Sequence, residues 1–150
     1  MIYNRTQNDV NEAIRIRKEK IQSFQELTSS DILALERGAI TINTLNRIEG
    51  KQEELKNLLN EIGYWNADVS VKIWTTEDIF NKDDFMRILD NANILRKAFF
   101  VYRNTPNTPS VSYQYNDINS LEKILHDIDV MINDVKSNYR ECGTFECGEG

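Results

Sequence analysis

At 150 residues, with 40% hydrophobic and 28% charged positions, the chain has the make-up of a single soluble globular domain. A chain of this length buries about 70% of the surface its unfolded form exposes, so a core needs neither metal nor disulfide to hold it. Eighteen basic against 24 acidic residues leave a net charge of −6, which excludes nucleic-acid binding through a broad basic field. Acid is concentrated from Asn116 onward, where eight carboxylates outnumber Lys123, Lys136 and Arg140.

The opening Met1-Ile2-Tyr3-Asn4-Arg5-Thr6 lacks a basic and apolar export signal, and the run Ala98–Tyr102 is far too short to span a bilayer. Synthesis in the cytoplasm without a signal peptide, and no membrane partner, are the expectations. From Asn8 to Leu27 the residues Val10, Ala13, Ile14, Ile21, Phe24 and Leu27 share one face, predicting an amphipathic helix. Its basic stretch Arg15–Lys20 reads as a solvated face rather than a phosphate site. Thr28-Ser29-Ser30-Asp31 breaks the pattern, and a short helical turn through Ile32, Leu33 and Leu35 is expected to stop at a terminal Gly38.

Three long helices follow by period: Asn43 to Ile62 with Gly63 as its stop and Gly50 inside it, about Asp83 to Tyr102, and about Asn119 to Tyr139. Asn119-Ser120-Leu121-Glu122 resembles a capping box and marks the start of the last. Between them, Gly63 to Lys82 is too long for a structureless loop, and it reads as a strap packed along the bundle. Val69, Val71 and Ile73, and again Val111, Tyr113 and Tyr115, alternate with polar residues, consistent with a short strand in each connection. Asn104-Thr105-Pro106-Asn107-Thr108-Pro109 is a turn.

The long helices open alike: an Asn or Asp (Asn43, Asp83, Asn119), a bulky apolar residue, then a base (Arg47, Arg87, Lys123) and an isoleucine. This grammar predicts caps at Asn43, Asp83 and Asn119, and bases that lay their stems on a neighbouring helix with the charge in water. One helix per unit argues against a solenoid.

Catalytic patterns are lacking. His126 is the sole histidine and reads as solvated beside Glu122 and Asp129; no nucleophile elbow, phosphate-cradling glycine loop or zinc motif is present. No enzyme, cofactor or metal is expected. Cys142 and Cys147 are too few for a closed zinc site, and the tail that holds them has three options: a small disulfide loop, pairing with a neighbouring subunit, or disorder. Tyr64, Trp65, Trp74 and Phe145 are the candidate partner- or glycan-binding residues, with core packing the simpler role for the tryptophans.

Several stretches, in order, carry a wider likeness: Tyr3-Asn4-Arg5-Thr6 with Asp9-Val10 and Ala13; Leu45-Asn46-Arg47-Ile48-Glu49 and Gly63-Tyr64; Trp74-Thr75-Thr76-Glu77-Asp78-Ile79; Arg87-Ile88, Asn91 and Leu95-Arg96; Thr105–Pro109; Asn119–Leu125; and Cys142–Glu149. With these the chain resembles small structural or tail-fibre-associated proteins from the tail modules of Firmicutes phages and prophages. Similar sequences carry small or aromatic residues where Cys142 and Cys147 stand, so no disulfide is implied by the resemblance. It implies a virion or tail-particle location, other tail or baseplate proteins as partners, and, by analogy, three- or six-fold homo-oligomers.

The expected architecture is mostly α: a three-to-four-helix bundle with extended straps. Residues 1–29 form an N-terminal helical arm, 30–139 the bundle core, and 140–150 an acidic cysteine-containing tail with capacity for strand. The function read from this is a non-enzymatic structural part of a phage or phage-tail-like particle. Two other readings stand beside it, a receptor- or glycan-binding module at the particle tip and an acidic intracellular adaptor.

Overall fold

A computed structural model describes residues 1–110 and 114–142, the last four through their backbone alone. Five α-helices run through these residues, and no strand occurs among them: α1 (Gln7–Ile16), α2 (Ser29–Gly38), α3 (Ile42–Glu61), α4 (Lys82–Ala98) and α5 (Tyr115–Cys142). The mostly α-helical architecture is as the sequence predicts. Helices α3, α4 and α5 pack on one another as a bundle, while α1 pairs with α2 as a separate hairpin.

The bundle forms because one face of each long helix is apolar. Ile48, Leu55 and Leu59 of α3, Phe85, Ile88 and Leu95 of α4, and Leu121, Ile124, Leu125, Ile128 and Ile132 of α5 are almost wholly buried together. Burial of each such side chain is worth about 1.5–3 kcal/mol. The strap between α3 and α4 adds Ala67, Val69 and Trp74 to this core. It lies packed along the bundle, and its backbone is extended without strand pairing.

Helix boundaries depart from the predicted ones where local chemistry overrides periodicity. The first helix leaves α geometry at Arg17 for a π-helical turn (Arg17–Ile21), and the chain then breaks at Phe24, whose φ is +54°. Helix α2 begins at the expected break, with Thr28 as its cap and Asp31 reaching back to it. It pairs with α1, so the N-terminal unit of packing extends to Gly38 instead of stopping at residue 29. Gly38 is not a left-handed terminator. It lies in the helix, and a Cβ there would sit 1.9 Å from the Asp9 carbonyl oxygen, so glycine permits the close crossing of α1 and α2. Gly63 does end α3, at φ +92°, with Tyr64 N–H donating to Leu59 and Gly63 N–H to Asn60 in a Schellman arrangement.

Helix α4 stops at Ala98, before the predicted Tyr102, because Phe99 turns extended to bury its ring edge-on against Tyr64. Helix α5 starts at Tyr115, ahead of the predicted Asn119: Asp117 reaches back to accept the Gln114 N–H. Residues 140–142 are helical, and the rest of the tail, with its predicted capacity for strand, falls outside the described residues, as does most of the alternation at Val111–Tyr115.

Candidate functional site

The three cap residues and three bases of the repeated helix-start pattern serve other ends than those predicted. The observed caps are Thr41 for α3 and Asn81 for α4. Asn43 instead donates to Glu36, and Asp83 is a first-turn acid of α4. Asn119 lies inside α5, where its amide grips an extended segment: Oδ1 accepts the Arg5 N–H at 3.0 Å and Nδ2 donates to the Arg5 carbonyl at 2.9 Å.

That grip recurs twice. Asn46 of α3 accepts the Trp74 N–H at 2.7 Å and donates to its carbonyl at 3.0 Å. Asn91 of α4 does the same to Ser70, at 3.1 and 2.7 Å, and also donates to the buried Gln52 of α3. A side-chain amide offers one donor and one acceptor at the spacing of a strand edge, so each asparagine satisfies the backbone of a segment that has no sheet to join.

A buried glutamate stands one helical turn beyond two of these asparagines. Glu49 follows Asn46; its oxygens accept the Lys72 N–H, the Trp74 indole N–H at 2.7 Å, and both terminal nitrogens of Arg87 at 2.5 and 2.7 Å. Glu122 follows Asn119; it accepts the Ile2 N–H, Arg5 at 2.8 Å and Arg47 at 2.9 Å. Arg47 and Arg87 therefore carry their charge inward to buried carboxylates on neighbouring helices, and not to water. Lys123 pairs within its own helix with buried Asp127, which also accepts the Thr105 hydroxyl. Paired and hydrogen-bonded in this way, the buried charges avoid the several kcal/mol that desolvation would otherwise cost each ion.

The proposed binding residues are dispersed. Trp74 is 3% exposed and edge-on to Phe80, so it belongs to the core. Tyr64 is half-buried against Phe99, while Trp65 is 75% exposed. Phe145 and Cys147 lie outside the described residues, and Cys142 ends α5 with its side chain outside them. His126 is half-buried and stacks at 5.0 Å on Tyr3 instead of standing in solvent.

Hydrogen bonds from charged partners lower several carboxyls outside the buried core network. Arg37, and then Thr6, hold Asp9 down to about 2; Lys72 and then Thr75 hold Asp78 down to about 2; Lys20 and Thr28 lower Asp31 further. These pairs fasten helix starts and a turn of the strap. Among the described residues no group of three or more His, Cys, Asp or Glu is placed to hold a metal ion. No helix among them is long and apolar enough to cross a membrane.

Comparison with protein-family models, with curated proteins and with solved structures found no match to this chain. The functional reading therefore rests on its own residues.

Proposed function

We propose that the protein is a non-enzymatic structural component of a phage or phage-tail-like particle, acting through assembly contacts in the tail, baseplate or fibre region. The observation that carries this is a large apolar side chain, Ile73, held outward from anchored backbone, with further large apolar side chains exposed elsewhere in the chain. Ile73 is 84% exposed, yet it sits between Lys72 and Trp74, whose backbone groups are pinned to Glu49 and Asn46. Trp65, Ile79 and Phe100 are likewise exposed. Exposed apolar side chains on a rigid frame are the material of protein contacts, since little ordering entropy is left to lose on binding. Together with the sequence resemblance to tail-module proteins, this supports an assembly role over catalysis.

Peptide mass spectrometry on particles purified from an induced culture of the source organism tests it. Several copies per tail are the expected result; recovery only from the soluble lysate would overturn it in favour of an intracellular adaptor. Trp65 supports a second reading, a receptor- or glycan-binding module at the particle tip. Its emission would then be quenched by host wall polysaccharide, and unchanged emission across several polysaccharides would count against that reading.

A further inference from the structure

One cleft of about 360 Å³ opens between the α1–α2 hairpin and the start of α5, and in this acidic chain three arginines line it. Arg5 comes from the N-terminal segment, Arg17 from the π-helical turn and Arg37 from the end of α2. Val10, Ile40 and Ile118 supply apolar wall, and Tyr115 stands at the first turn of α5. The volume lies in the range of small-molecule sites, which are mostly apolar with a few convergent polar groups.

We propose that this cleft binds a small oxyanion, a phosphate ester or a carboxylate, carried on an apolar body. The charges around it do not cancel. Arg37 is matched by Asp9, at 2.9 Å. Arg5 shares the single carboxylate of Glu122 with Arg47, so this triad keeps a net positive charge although the Arg5 side chain is only 3% exposed. Arg17 forms no ion pair among the described residues and is exposed at the mouth. Arg5 engages Glu122, the Ile2 carbonyl and Asn119 through its terminal nitrogens, so its surplus charge acts on the cleft through space. An anion seated against Arg17 balances that surplus where water is partly excluded, and the planar Arg17 fork matches the spacing of two phosphate or carboxylate oxygens. The ligand's apolar body fills the space beside Val10, Ile40 and Ile118.

The test is a titration of the full chain, followed by amide NMR, with phenyl phosphate, benzoate and inorganic phosphate as probes. The expected shifts are confined to Val10, Gly38, Ala39, Ile40 and Ile118, and the aromatic probes bind more tightly than inorganic phosphate. A preference for phenyl phosphate identifies a phosphate ester as the natural ligand; a preference for benzoate identifies a carboxylate. Arg17→Glu weakens binding about tenfold or more, as loss of a charge-assisted contact requires, whereas Lys18→Glu, the same charge change beside the cleft, leaves it unaltered. Absence of shifts with all three probes, shifts scattered over surface cations, or equal loss in both variants would overturn the proposal.

Discussion

Arg5 and Glu122 lie 117 positions apart and meet at 2.8 Å with both side chains almost wholly buried. The pair fixes the N-terminal segment to α5, and Arg47 closes on the same carboxylate from α3. Removal of one partner leaves an uncompensated charge, so Glu122→Leu is expected to cost about 3–5 kcal/mol. The double variant Arg5→Met/Glu122→Leu restores much of that, because Arg47 is partly exposed and can turn to water. Urea denaturation of the two singles and the double measures the coupling; simple additivity would show that the pair is not a unit.

Two helical glycines should respond to alanine with opposite signs. At Gly38 a methyl group meets the Asp9 backbone, so Gly38→Ala forces α1 and α2 apart at about 1–3 kcal/mol. At Gly50, inside α3, nothing lies within 4 Å of the added carbon, and Gly50→Ala should stabilise by roughly 1 kcal/mol. Thermal midpoints of both variants check the crossing geometry directly.

Acid should loosen the α1–α2 hairpin. The Asp9 carboxyl is held from its ordinary 3.8 down to about 2 by Arg37, and then by Thr6. A depressed carboxyl contributes stability that is fully present above its unfolded value and is lost as pH falls through the folded one. The contribution therefore fades between about 4 and 2. Hydrogen exchange at α1 and α2 amides should quicken across that window, and Asp9→Asn should reduce this pH dependence, leaving the part that rests on Asp31, while lowering protection at neutral pH. Unchanged exchange in the wild type would contradict the linkage.

Helix number and the apolar faces were legible because burial of Leu, Ile and Phe at a 3.6 period leaves a trace in any one helix. The strap's packing was legible too, from its length and aromatic content. Caps were misread at Asn43, Asp83 and Asn119, since an asparagine near a helix start looks the same whether it caps or grips another segment. What separates the two roles is a partner far along the chain, such as Arg5 for Asn119 or Trp74 for Asn46. Buried Glu49, Glu122 and Asp127 were invisible for a related reason: a carboxylate reads as surface until its cation is known. One signal was present. Asn-x-x-Glu occurs at Asn46–Glu49 and Asn119–Glu122, with the glutamate on the apolar face, and this register, not the alignment of Asn43 with Asn119, is the structurally equivalent one.

The grip of Asn46 on the strap has an optical signature, because the two tryptophans differ so sharply in exposure. In Trp65→Phe the remaining Trp74 should emit at short wavelength and resist iodide, while in Trp74→Phe the remaining Trp65 should emit at long wavelength and be quenched freely. Adding Asn46→Ala to Trp65→Phe leaves the Trp74 backbone N–H and carbonyl without their partner, at a cost of about 1–3 kcal/mol. The indole, still bonded to Glu49 but no longer held at its backbone, should shift its emission to longer wavelength and gain iodide access. If emission and stability both stay at the parent values, the asparagine is incidental and the buried indole alone holds the strap.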